Sequence, residues 1–177
     1  TTLFRSLDER SAAKSKRFYE EGAEIFNRVE AKKPDNYCTT GYQRKLLRAE
    51  YKSFLAGSYM RYYFFEEADP DTIIGTCSFA EIRHAPYNSC IIGYKLLPRF
   101  QKKGYALEGI SELISALFEE DRIHRIEAFT LPDNLDSISL LLRLGFEFES
   151  IARSVILLNG EYRDHNRYVM INPMHLQ

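Results

Sequence analysis

Residues 93–106 read Gly93-Tyr94-Lys95-Leu96-Leu97-Pro98-Arg99-Phe100-Gln101-Lys102-Lys103-Gly104-Tyr105-Ala106. An apolar, aromatic strand runs up to Pro98, a short basic loop follows, and Gly104 stands at the mouth of a helix. From Tyr105 to Glu120 the apolar positions Leu107, Ile110, Leu113, Ile114, Leu117 and Phe118 recur at helical spacing, which gives one buried face. The first N–H groups of a helix have no internal partner and carry the positive end of its dipole, so such a terminus can take an anion. Gly104 lets a ligand approach the backbone, small Ala106 keeps the first turn open, and Arg99, Lys102 and Lys103 add positive charge. The ligand suggested is a phosphate or pyrophosphate; the same residues also read as a turn with a solvated basic edge. Neither GxxxxGK[ST] nor GxGxxG is present, which disfavours an NTPase and a dinucleotide-binding fold.

Outward from this stretch the pattern alternates between helix and strand. Leu3–Leu7 reads as a first strand. A helical stretch from Asp8 carries Ala12, Phe18, Ala23 and Phe26 and breaks at Lys33-Pro34-Asp35-Asn36. Thr39 or Thr40 can cap a second helix with Leu46, Leu47, Phe54 and Leu55 on one face and Gly57 as its stop. Tyr59–Phe65, Thr72–Ile82 and Ser89–Leu97, rich in aromatic and β-branched residues, read as a three-stranded antiparallel meander. Beyond the Tyr105–Glu120 helix come a strand over Ile123–Leu131 and a helix over Asp133–Leu144 ending at Gly145. Asn159-Gly160 then joins Phe148–Leu158 to Glu161–Ile171, and Asn-Gly marks a hairpin because both residues tolerate positive φ. The expectation is a mixed α/β sheet with helices on both faces, in one domain spanning residues 1–177.

Composition agrees with that class. The chain has 177 residues, 45% hydrophobic and 28% charged, which excludes a disordered or collagen-like chain. Its net charge of −1 argues against a nucleic-acid binder with a generally basic surface. No apolar run approaches the ~20 residues needed to cross a bilayer, and no charged segment leads into an apolar signal-like run. Cys38, Cys77 and Cys90 are odd in number and lack CxxC spacing, and His84, His124, His165 and His175 lack metal-ligand spacing. A reduced, cytoplasmic protein without a metal is the expectation.

Several short motifs coincide with one family. Gln101-Lys102-Lys103-Gly104-Tyr105-Ala106 resembles the Q/R-x-x-G-x-G/A loop of the GCN5-related N-acetyltransferases. Ile73-Ile74-Gly75 and Gly93-Tyr94 look like the preceding strands of that family, Pro132-Asp133-Asn134-Leu135-Asp136-Ser137 like its P-x-N-x-x-S turn, and Leu144-Gly145-Phe146 like its LGF. Residues 159–165 and Leu3–Leu7 are similar to the terminal hairpin and first strand of its ribosomal-protein alanine N-acetyltransferase (RimJ/RimL-like) branch.

The resemblance implies acetyl-CoA in a V-shaped opening between the fourth and fifth strands, with no metal. The backbone of Leu96 and Leu97 would hold the pantetheine arm and the thioester carbonyl. The amides of Gln101, Lys102, Lys103, Gly104, Tyr105 and Ala106 would cradle the pyrophosphate, and Arg143 could reach the nucleotide end. Asn134 would contact the pantetheine region, and Ser137 would protonate the leaving thiolate. Many members carry glycine where Lys102 stands. The implied acceptor is the α-amine of a protein or peptide, such as a ribosomal protein, with the first two helices walling the acceptor side.

The residues leave more open. Asn134 and Ser137 also read as plain helix caps. Amine attack on a thioester needs a neutral nucleophile, and an α-amine near 7.7–8.0 needs far less help than a lysine near 10.4. No base announces itself, because Ser89–Leu97 contains no Asp or Glu. Glu127 on the fifth strand is the nearest candidate base, and an outward charge is its preferred reading; Tyr94 reads as base, acid or, by preference, packing. Small amines remain rival acceptors, and an acyl-CoA sensor without turnover is a rival from another class. Monomer and homodimer are both compatible with the chain.

Overall fold

The computed structural model describes residues 2–120 and 123–175. In chain order the elements are β1 (Thr2–Arg5), α1 (Ala12–Val29), α2 (Thr40–Leu55), β2 (Met60–Glu66), β3 (Gly75–Arg83) and β4 (Ser89–Leu96). There follow α3 (Tyr105–Glu120), β5 (Arg125–Thr130), α4 (Leu135–Leu144), β6 (Glu147–Leu158) and β7 (Glu161–Ile171). The strands form one sheet in the order β1-β2-β3-β4-β5-β7-β6. Every neighbouring pair is antiparallel except β4 and β5. Parallel neighbours need a crossover, and α3 supplies it.

Two adjacent residues of β2 show which helices cover which face. The Tyr63 hydroxyl donates to Glu50 of α2 at 3.0 Å. Phe64 instead lies under α3, so close that a Cβ on Gly109 would stand 3.2 Å from its ring. Successive strand residues point to opposite faces, so α2 and α3 lie on opposite sides of the sheet. Register carries this across to β4. Tyr63 pairs with Thr76 and Thr76 with Lys95, which puts Lys95 on the α2 face; Tyr62, Cys77 and Tyr94 share the α3 face.

Buried polar contacts fix the first two helices. Arg61 of β2 donates to the Tyr19 hydroxyl of α1 at 2.9 Å and pairs with Glu50 at 2.7 Å. Gln43 of α2, fully buried, accepts from Ser15 of α1 and donates to the carbonyl of Tyr37, both at 2.7 Å. Those bonds position the segment between α1 and α2. No helix of the described residues is long and apolar enough to cross a membrane.

The order of elements is as the sequence leads one to expect, but their boundaries shift for physical reasons. Leu7 is buried without joining β1, because Asp8 turns the chain and caps a single 3-10 turn over Glu9–Ser11 ahead of α1. Ile73 and Ile74 are core residues before β3 begins. Leu55 is 70% exposed rather than part of the apolar face of α2, since it ends the helix. Glu127 is not an outward charge. It sits on the central strand β5, 9% exposed, with its carboxylate accepting from Arg125 at 2.9 Å.

Candidate active site

The sheet opens where β4 and β5 part. Their ladder runs from Ser89↔Arg125 to Ile92↔Ala128 and stops, although β4 continues to Leu96 and β5 to Thr130. Beyond the split each strand is held on its outer side only, β4 by β3 through Leu96↔Gly75 and β5 by β7 through Thr130↔Asn166. The inner edges of these segments are therefore available to an extended ligand.

A cleft of about 450 Å³ lies along the free end of β4, between the loop before α3 and the start of α4. Of the residues expected at the site, Leu96, Gln101, Lys102, Gly104, Tyr105, Ala106, Asn134 and Ser137 line it, as does Arg143; Leu97 and Lys103 do not. Leu97 is fully buried, and its N–H donates to the Ile74 carbonyl at 2.9 Å. The Leu96 carbonyl accepts from the Gln101 side chain at 3.1 Å, which ties the end of β4 to the loop. Of the three basic residues around the loop, only Lys102 faces the cleft. Arg99 is bound to Glu21 of α1 at 2.6 Å, and the Lys103 ammonium lies 5.6 Å from the centre of the Phe100 ring.

The loop owes its shape to two left-handed residues, Lys102 with φ of 60° and Gly104 with φ of 92°. The Lys102 value explains why glycine suits this position, since an L-residue there costs about 1 kcal/mol. A Cβ on Gly104 would meet no protein atom within 4 Å, so the space beside the start of α3 is empty of protein. The first amides of α3, unpaired by the helix itself, border that space. Lys102 is paired with Asp136 of α4 at 3.2 Å, so the free donors at the positive end of the helix and the room beside the backbone are what fit a phosphate-bearing group.

On the far wall, Asn134 caps α4 by accepting from the Ser137 N–H at 3.2 Å. Capping and a place in the cleft therefore coexist. The Ser137 hydroxyl lies 2.9 Å from the Tyr94 hydroxyl, which is also 3.3 Å from the Ser137 carbonyl. Burial pushes the Tyr94 phenol up to about 12, so it stays protonated, and its one hydrogen can go to the Ser137 hydroxyl or to the Ser137 carbonyl. When it goes to the hydroxyl, the serine's own hydrogen is free to point into the cleft. Tyr94→Phe is expected to lower kcat about fivefold, the worth of one hydrogen bond of roughly 1 kcal/mol. Its effect should not add to that of Ser137→Ala, which a double-mutant cycle checks; additive losses would dissolve the pairing.

A second cavity, of about 420 Å³, lies against α1 and the segment that follows it; Glu30, Lys33, Tyr37 and Asn159 are among its walls. Phe26 of α1 borders both cavities. Among the described residues there is no group of three or more His, Cys, Asp or Glu that could hold a metal.

Residues 16–147 match the family model of the acetyltransferase (GNAT) domain. The chain belongs to the GNAT acetyltransferase family. It is an acetyl-CoA-dependent acetyltransferase, and the thioester of that donor supplies the acyl group. A probable N-acetyltransferase of Bacillus subtilis, YjcK, is 31% identical over 98% of this chain and 95% of its own length. The ribosomal protein uS5 alanine N-acetyltransferase of Escherichia coli is 29% identical over 97% and 88%. Among solved structures, ribosomal-protein-S5-alanine acetyltransferase from Vibrio fischeri superposes with a TM-score of 0.92 at 23% identity, covering 97% of this chain and 93% of that one. RimJ from Mycobacterium smegmatis, solved with CoA-disulfide, gives 0.90 at 18% identity over 99% and 84%. These confirm the GNAT fold and the branch that the motifs pointed to.

Three groups at this GNAT site escaped sequence reading: Phe26, which borders both cavities; the Tyr94–Ser137 contact; and an ion pair of Lys95 with Glu30. The only available signal was a lysine between Tyr94 and Leu96 in an otherwise apolar strand.

Proposed function

We propose that the acetyl acceptor is the α-amine of a protein or peptide N-terminus, and that residues 1–177 act as one domain. The observation that carries this reading is the second cavity. It adjoins the donor cleft at Phe26 and reaches the surface among exposed Lys32, Pro34 and Asp35. Its ionic lining is balanced, with Lys32 and Lys33 against Glu30 and Asp35. A polycationic amine would call for converging acidic groups, which this lining does not offer. A chain end with a single ammonium and a polar backbone suits it, and so does the kinship with the uS5 alanine acetyltransferase.

In this proposal Leu96 and Leu97 hold the pantetheine arm, Leu97 through the second lone pair of its carbonyl, since its N–H donates to Ile74 and the carbonyl already accepts from the Phe100 N–H at 2.9 Å. Residues Gln101 to Ala106 receive the pyrophosphate, Asn134 steadies the α4 turn, and Ser137 donates the proton to the departing thiolate. Support for one domain comes from the sheet, which runs without interruption from β1 at Thr2 to the β6–β7 hairpin ending at Ile171.

The test is mass spectrometry of a peptide panel with acetyl-CoA. Peptides would vary in their first residue and include N-terminally blocked peptides containing lysine, with small amines in parallel. Gain of one acetyl group only on free N-termini is the expected result. Acetylation of small amines alone would replace the acceptor, and binding of acetyl-CoA without any product would make the protein a sensor.

A further inference from the structure

Lys95 stands on β4 beyond the last residue paired with β5, on the α1–α2 side of the sheet. Its side chain is only 15% exposed. The ammonium lies 5.5 Å from the centre of the Tyr19 ring and 5.3 Å from that of Phe26, and it forms an ion pair with Glu30, the C-cap of α1. Lysines are almost never buried unless paired, so the carboxylate explains how this one is tolerated. It does not explain the position. Lys95 lines the donor cleft, Glu30 lines the second cavity, and Phe26 borders both. The ion pair is thus a wall between the two cavities, with one partner on each side. The neighbouring residue, Tyr94, holds Ser137 on the opposite face of the same strand.

We infer that Lys95, supported by Glu30, is the proton acceptor for the amine that attacks the thioester. The inference rests on the acetyl-transfer reading of the two cavities. In the first step an N–H bond of the incoming ammonium breaks and its proton passes to the neutral Lys95 Nζ. The freed amine then forms a C–N bond at the thioester carbonyl. As the C–S bond breaks, the thiolate takes the Ser137 proton, and the second proton of the former ammonium, lost from the nitrogen, restores the serine. Lys95 releases its proton through Glu30 and the second cavity to solvent. One amide, one thiol and one proton result.

The charges around Lys95 support this role. Burial is the strongest influence and lowers its basicity; Glu30 from α1 opposes it, while Arg61 from β2 and Lys33 from the α1–α2 segment add to the lowering. Tyr19 of α1 faces it as a neutral ring, burial holding its phenol well above the usual value. The outcome is an ammonium brought down to about 8, close to an ordinary α-amine at about 7.7–8.0. Proton transfer between the two is therefore nearly balanced. Burial alone would raise the Glu30 carboxyl, but Lys95 and Lys33 outweigh it and hold Glu30 below the usual carboxylate value.

The deciding variant is Lys95→Arg, which keeps the charge and the Glu30 partner but cannot lose a proton near neutrality. Thiol release would be followed with an alanine-initiated peptide and with an acyl hydrazide as the hydrazine acceptor, whose terminal nitrogen is already neutral at that pH. With the peptide, kcat/KM at neutral pH should fall about 100-fold, within the usual worth of a general base. Acetyl-CoA affinity should stay unchanged, and the loss should shrink to less than about tenfold with the hydrazine. Equal losses with both acceptors, or an unchanged rate, would overturn the inference. Glu30→Gln removes the anion that favours the charged lysine, so the rise of kcat/KM with pH should move to lower pH; an unmoved profile counts against it. If the wild-type protein acetylates neither acceptor, the acceptor reading fails separately. Nitrogen NMR of the Lys95 side chain then decides: a midpoint near 8 sustains the inference, and one at the ordinary lysine value of about 10.4 ends it.

Discussion

Gly104→Glu should abolish acetyl-CoA binding while leaving the protein folded. Gly104 has φ of 92°, and a Cβ there meets no protein atom within 4 Å. The substitution therefore causes no clash inside the protein, only the backbone strain of a non-glycine residue at positive φ, about 1–2 kcal/mol. Against a typical total stability of about 5–15 kcal/mol the fold survives. The new side chain, however, enters the space beside the α3 amides and sets a carboxylate where the helix end favours an anion. Loss of those contacts and like-charge repulsion act together, so the dissociation constant should rise at least about 100-fold, or roughly 3 kcal/mol. Gly104→Ala separates the causes. It carries the same strain without the charge and should weaken binding by no more than about tenfold. Calorimetry measures both, and unchanged affinity in the glutamate variant would remove the loop from the donor site.

Ser137→Ala should have the second-largest effect, and on a different quantity. The change deletes the hydroxyl but keeps the backbone N–H that Asn134 caps, so α4 keeps its start. Tyr94 retains the Ser137 carbonyl at 3.3 Å as an acceptor, so no buried phenol is orphaned. Stability should therefore change by less than about 1 kcal/mol. If Ser137 protonates the leaving thiolate, kcat should drop about 100-fold while acetyl-CoA affinity moves by no more than about threefold. Single-turnover kinetics alongside calorimetry distinguish the outcomes. Equal losses in rate and affinity would reduce Ser137 to a binding contact.

What sequence reading reached and what it missed divide along one physical line. Local signals were sufficient for α3, whose apolar spacing is self-contained, for the Asn159-Gly160 hairpin, and for the loop at Gly104. The α4 cap at Asn134 was equally plain. Residues whose meaning depends on sheet register were opaque. Lys95 and Glu30 lie 65 positions apart, and nothing short of the β2–β3–β4 register puts them on one face. Glu127 looked outward because a lone carboxylate in a strand usually is; its strand proved central, and Arg125 covers it. The basic loop was overread in the same way. Arg99 and Lys103 count toward charge in the sequence, but Glu21 holds one and Phe100 attracts the other.

The split between β4 and β5 is also a mechanical seam. Within the sheet, the half from β1 to β4 and the half from β5 to β7 are stitched only by the pairs between Ser89↔Arg125 and Ile92↔Ala128. In the binding mode proposed above, a donor arm lying in the gap would supply the missing rungs and serve as a temporary eighth strand. The two halves should then open together rather than separately when the donor is bound, and the protein's cooperativity becomes a property of its substrate load. After transfer the arm would depart with its thiol and the seam would loosen. The energy that clasps the sheet would thereby be returned at the step when product has to leave.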